Sequence, residues 1–286
     1  MKNILLIATL IITQYVSSQQ DTEIFLFDIS TTAKGDTLTN KKNISNNLGY
    51  DNQPQFLAKD VLIYDGTRNG QTEIIKYTRG ITKQFNNTTK GGEYSPQYMV
   101  GKRGISAVRL DPNGLQRLYS YLPRQDKTSV LIKDAVVAYY TWAAKDLIVG
   151  AAIVDENLHL VVYNLQNNTA HDLEIPVGRS FHKIPGTQRI SFIDTSTEIR
   201  TVKSIDPKTN EIKFIAELPK GVEDINWLPD GKLLASKGST LYCKIENTPW
   251  EVYHAFEDEE LQDISRFAIS PNGSQIAIVA AKALKK

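Results

Sequence analysis

Ten side chains of types that bind or react stand in small groups about 40 residues apart along this sequence. The acids are Asp51, Glu93, Asp224 and Asp263, and with them stand Tyr94, Tyr140, Arg179, His182, Asn226 and Arg266. Two carboxylates held roughly 5 to 10 Å apart hydrolyse a glycosidic bond, one as acid and the other as base or nucleophile. Asp224, Asn226 and Asp263 together offer the carboxylate and amide oxygens that calcium takes. The tyrosines and arginines offer a contact face for peptide or glycan. Sequence spacing brings no two of the acids together, so catalytic pair, calcium site and binding face all stay open. Other chemistries lack their residues. The four histidines have no zinc-ligand spacing. There is no Gly-x-Ser-x-Gly, no phosphate-binding loop and no dinucleotide fingerprint. Cys243 is the only cysteine, which leaves no disulfide within the chain. We therefore expect no catalytic residue, no metal ligand and no cofactor, and read the ten as a ligand-binding set.

The elements that position these residues repeat. Phe56, Tyr98, Trp142, Ile184, Trp227 and Ile269 are spaced 42, 44, 42, 43 and 42 residues apart. Each is followed by a short turn and an apolar strand, as in Trp227-Leu-Pro-Asp-Gly and Ile269-Ser-Pro-Asn-Gly. Pro fixes φ and Gly or Asn accepts positive φ, so each unit carries a hairpin signal. A third strand follows, such as Glu73–Tyr77 or His159–Tyr163, and then a fourth. Four short strands per repeat of this length is a propeller-blade pattern, and such a unit must stack on neighbours. The spacing predicts an all-β, six-bladed propeller. The sixth unit runs out of chain after Gln275–Ala280. Glu23–Phe27 and Thr37–Lys41 have the pattern of the missing strands, so N- and C-terminal strands are expected to close the last blade together. The ten candidates then fall near one mouth of the central channel.

Asp51-Asn-Gln-Pro-Gln-Phe56, Glu93-Tyr-Ser-Pro-Gln-Tyr98, Trp227–Gly231 and Ile269–Gly273 resemble the TolB-like propeller repeat, as does the turn Asp65–Gly70. Blades three and four depart from it. The resemblance implies a propeller without the N-terminal α/β domain of TolB, for which the chain has no room. It also implies a binding role in the bacterial envelope, toward an envelope protein, a peptidoglycan-associated lipoprotein or a glycan. The alternative is a hydrolase or lyase acting on a glycan or lactone, with a channel-mouth carboxylate or calcium site.

The first 18 residues read as a signal peptide, with Lys2, the apolar stretch Ile4–Ile12, and small residues at Val16 and Ser18. That stretch is shorter than the ~20 residues of a membrane span. A periplasmic or secreted product is expected, not membrane-spanning, with residues 19–286 as one domain. The 33 basic and 32 acidic residues nearly cancel, without the basic stripe of a nucleic-acid binder.

Overall fold

The computed structural model describes residues 20–33, 35–85, 90–123 and 128–281. The signal segment lies outside the described residues, as do Asn86 and Asn87, each of which heads an Asn-x-Thr glycosylation sequence, and the basic residues Lys282, Lys285 and Lys286. The described chain is all β apart from one 3₁₀ turn at Glu259–Leu261. In chain order, β1 (Thr22–Thr32) and β2 (Gly35–Asn43) come first. The first complete unit is β3 (Asp51–Ala58), β4 (Val61–Arg68), β5 (Gln71–Thr78) and β6 (Ile81–Gln84). The second is β7 (Gly92–Tyr98), β8 (Ile105–Leu110), β9 (Gln116–Tyr121) and β10 (Thr128–Ile132). Seven strands follow: β11 (Val137–Ala144), β12 (Leu147–Val154), β13 (Asn157–Asn164), β14 (Thr169–Lys183), β15 (Ile190–Asp194), β16 (Thr201–Ile205) and β17 (Ile212–Glu217). Then come β18 (Asp224–Trp227), β19 (Leu233–Lys237), β20 (Thr240–Lys244) and β21 (Glu251–Ala255), and finally β22 (Ile264–Ile269) and β23 (Gln275–Ala281).

These strands form antiparallel sheets in a propeller-like arrangement. The reason lies in the central strands, which are apolar on both faces. In β4, Leu62 and Tyr64 enter one hydrophobic cluster while Ile63 enters another on the opposite side. In β23, Ile276 and Ile278 face one neighbour while Ala277 and Val279 face the other. Period-two alternation thus feeds two junctions at once, so the strand reads as an unbroken apolar run. Six such clusters lie between successive sheet segments. Outer strands touch only one neighbour and are polar: every residue of β6 is exposed and none of β2 is buried. Charged edges of this kind discourage pairing with another chain.

Four of the sheets have four strands, and one has seven, ordered β11 to β17. The seven-stranded sheet is where the repeat was expected to break into two units. There β14 pairs first with β13, through Thr169–Pro176, and then with β15, through Val177–Lys183. Pro176 and Gly178 mark the crossing without ending the extended backbone. A second difference concerns the fourth anchor. Lys183, not Ile184, stands opposite Ile190, at the register where Phe56 faces Leu62 and Trp227 faces Leu233. Ile184 instead opens the Pro-Gly turn, its carbonyl accepting from Thr187 N at 3.2 Å. Leu228 and Ser270 open their turns in the same way, toward Gly231 N and Gly273 N.

The sheet of order β2-β1-β23-β22 joins the two ends of the described chain. Thr22 lies opposite Ala281 and Asp28 opposite Gln275. Lys41 of β2 also reaches Asp258 at 2.5 Å and Glu260 at 2.6 Å, so the acidic segment before β22 is in part tied down. Removing residues 20–43 would strip Ile24, Phe25, Leu26 and Phe27 from two clusters. At roughly 2–5 kcal/mol for each large buried side chain, the loss rivals the whole ~5–15 kcal/mol that holds a domain folded. The truncated chain is expected to lose its cooperative thermal transition in circular dichroism. A transition retained at the full-length temperature would refute this role for β1.

Candidate functional site

Six strand segments, from β3, β7, β11, the end of β14, β18 and β22, wall a cavity of about 180 Å³. They follow one another around it, with packing from β3 through β7, β11, β14, β18 and β22 back to β3. One residue before each anchor register, these segments present Gln55, Gln97, Thr141, His182, Asn226 and Ala268. Five of the six are polar, because this face looks onto the cavity rather than into a junction. Several also stitch neighbouring strands. Gln55 Oε1 accepts from Tyr98 N at 2.6 Å, and Gln97 Nε2 donates to the Tyr140 carbonyl at 2.5 Å. Gln53 Oε1 accepts from Ser95 N and from Ser95 Oγ. Gln53 and Ser95 sit where β3 and β7 shift register, with φ of 52° and 50°. Positive φ costs a non-glycine residue energy and is concentrated at functional positions.

A latch behind this wall recurs. Ser106 and Ser191 lie opposite Gln97 and His182 on the second strands. Each hydroxyl reaches that residue's carbonyl, at 3.4 and 3.1 Å. Each also accepts the indole N–H of the next unit's anchor, from Trp142 at 2.8 Å and Trp227 at 2.9 Å.

Of the ten sequence candidates, Tyr140, Arg179, His182, Asp224, Asn226 and Arg266 line the cavity. The ring of Tyr140 packs into the junction beside β8, its hydroxyl 2.8 Å from Ser106 Oγ. Tyr139 takes the cavity position instead, with the Arg266 guanidinium 5.2 Å over its ring. Arg179 Nη2 donates to the Ser265 carbonyl at 2.6 Å and lies 3.8 Å from Glu223. Asp224 Oδ2 accepts from Phe267 N at 3.0 Å, and burial raises its pKa against the pull of Arg266 and Arg179. Asn226 Oδ1 accepts from Trp227 N at 2.8 Å. Burial, reinforced by Arg266, pushes the His182 imidazole down to about 4, so it is neutral at pH 7.

The other four lie elsewhere. Asp51 is fully buried at the β1 side of β3, over Gly66, where a Cβ would come within 2.4 Å of its Oδ1. Burial lifts it to about 6, although Arg68 stands 3.3 Å away. Glu93 is buried at the β5–β7 junction, where burial and the neighbouring Glu73 carboxyl push it to about 9. Tyr94 is half-buried there, 3.4 Å from Thr72 Oγ1. Asp263 is exposed, its carbonyl accepting from Ala281 N. Asp224 is thus the one carboxylate among the described residues lining the cavity, and Asp263 does not join it and Asn226 there. Among the described residues no three His, Cys, Asp or Glu side chains are grouped to hold a metal ion. Sequence reasoning missed Gln53, Gln55, Ser95, Gln97 and Thr141. The signal for three of these was the polar residue directly before each anchor.

No protein-family model matches the chain, and no curated protein sequence does. Solved structures do. A TolB-type protein from Agrobacterium tumefaciens matches with a TM-score of 0.68 at 10% identity, covering 93% of this chain and 100% of that one. A gluconolactonase-type protein matches at 0.61 and 9% identity, over 86% and 93% of the two chains. An oligogalacturonate lyase in complex with manganese matches at 0.59 and 11% identity, over 93% and 98%. The likeness is one of fold: this chain has a TolB-like β-propeller fold. No helix among the described residues is long and apolar enough to cross a membrane.

Two measurements check this description. Ser106→Ala leaves the buried Trp142 N–H without its partner and should cost about 1–3 kcal/mol in urea unfolding, with the m-value unchanged. Glu93 binds its proton more tightly folded than unfolded, so the folded chain holds the extra proton between its unfolded pKa and about 9. The stability this contributes is present at acid pH and lost as pH rises through that window, by at most about 1.4 kcal/mol per unit. Glu93→Gln should flatten that slope in denaturation curves from pH 5 to 9. An unchanged slope would refute the assignment.

Proposed function

We propose that the chain is an exported, closed six-bladed propeller that acts by binding, with its ligand in the axial cavity. The observation that carries the binding reading is the composition of the wall: two guanidiniums, carboxamides and a tyrosine face, against one carboxylate. Such a wall recognises and orients, and lacks the second acid of glycoside hydrolysis. The six-blade count is supported by the six hydrophobic clusters and the six wall segments, with β14 serving two blades. Pairing of β1 with β23 supports closure by the two ends of the chain. The signal-like N-terminus supports a periplasmic or secreted location, where an envelope protein, a peptidoglycan-associated lipoprotein or a glycan would be the partner. One observation favours catalysis as a second reading: His182 is a neutral, buried imidazole in the same cavity as Asp224 and Arg266, and perturbed groups gather at reactive sites.

The test is capture from a bacterial envelope extract by immobilised protein, with the double variant Arg179→Gln, Arg266→Gln beside it. Binding in the cavity predicts recovery by the natural protein and at least tenfold less by the variant. Equal recovery would remove the cavity from the function. Turnover of a glycan or lactone panel, run with and without divalent cations, would replace binding by catalysis, and His182→Gln should then abolish it.

A further inference from the structure

Arg266 has the least engaged hydrogen-bond donors of the charged side chains in the cavity, although its charge is felt by Asp224 and Asp65. It makes no hydrogen bond or ion pair among the described residues, and is held by the face of Tyr139, 5.2 Å away. The other charges nearby are already engaged. Arg179 is turned toward the Ser265 carbonyl and Glu223. Asp224 accepts from Phe267 N, and its carboxylate is drawn at longer range toward Arg266 and Arg179. Asp65 is fully buried with no hydrogen-bond partner for either oxygen, and burial raises its pKa well above the usual range against the pull of Arg266. His182 is neutral. One guanidinium with its donors unspent therefore faces a cavity also lined by Gln97, whose Oε1 is buried without a partner.

We propose that Arg266, stacked on Tyr139, is the receptor for the carboxylate of a small monoanionic ligand whose remaining polar group is read by Gln97. This rests on the reading of the axial cavity as a binding site. A planar carboxylate matches the guanidinium fork with two parallel hydrogen bonds. The lining holds two guanidiniums and one carboxylate, a formal excess of one positive charge, which matches a monoanion better than a phosphate, which carries nearer two. The stack fixes the fork before the ligand arrives, which lowers the ordering cost of binding. At about 180 Å³ the cavity is smaller than the roughly 300–1,000 Å³ of sites for drug-sized ligands, so the occupant is small or is the tip of a larger molecule.

The experiment is an NMR titration of the full chain, following the Arg266 Nε–H and the Gln97 side-chain amide. The probes are acetate, benzoate, benzyl alcohol and inorganic phosphate. Saturable shifts from both carboxylates are expected, with benzyl alcohol and phosphate needing higher concentrations. Arg266→Gln should weaken benzoate, read on Gln97, by roughly ten- to a hundredfold. Arg266→Lys keeps the charge without the fork or the planar stack, and should fall between. Wild-type thermal melts for either variant establish that the fold is intact, and the lysine variant carries the test if the glutamine variant does not fold. Saturation by phosphate below benzoate would overturn the carboxylate assignment. No saturable shift from any anion, or undiminished benzoate binding by the variants, would overturn the receptor. Benzyl alcohol binding as tightly as benzoate would overturn it too, while leaving the cavity as a binding site.

Discussion

A central strand buried on both faces has nowhere to exist alone. Leu62 and Tyr64 need one neighbouring sheet and Ile63 needs the other, and the same holds for Ile276 and Ala277 at the far end of the chain. Burial of a large apolar side chain contributes about 1.5–3 kcal/mol, so each junction of six to twelve buried apolar residues is a large share of the folding free energy. No sheet can be lost without exposing two clusters. The architecture follows from that demand. So does the rigidity of the innermost strands, which inherit their positions from the packing behind them.

Those inner strands face a different environment. Where six of them converge they wall a small cavity, and the residues there include carboxamides, a hydroxyl and an imidazole. Their first use is structural. Gln55 and Gln97 each hold the backbone of the next strand, as Asp224 does with Phe267 N. Whatever hydrogen-bonding capacity remains is what a ligand meets. The cavity is thus built from the unspent valences of the stitching residues, with Arg266 and Tyr139 added from loop-proximal positions.

The repeat was legible because its carriers are local. Pro, Asp or Asn, and Gly make turns by their own φ preferences, and an unbroken apolar run needs no tertiary information to be recognised. Position within a strand was less legible. A shift of register between Val137 and Tyr139 decides which of two adjacent tyrosines faces the cavity, and nothing in Tyr139-Tyr140 marks it. Likewise the Lys183–Ile184 offset depends on a turn one residue different from its neighbours. Asp51 and Glu93 are polar residues in the place where the sequence suggests a mouth. Their burial depends on partners distant in sequence, on the bare face of Gly66 and on the carboxyl of Glu73. Arg179, His182, Asp224, Asn226 and Arg266 were found because they sit within a few residues of an anchor, where the inner strand has little freedom to turn away.

The pairing of Thr22–Asp28 with Gln275–Ala281 joins residues some 250 positions apart. A growing chain cannot make this contact until nearly all of it is available. Until then the apolar face of β1 and the junctions on either side stay open. The order of assembly is therefore imposed by synthesis, not only by affinity: the early sheets can stack as they emerge, while the first strand waits for the last. During that wait, Phe25 and Phe27 are the residues from which a holding chaperone would have to protect the chain, or protect other chains from it.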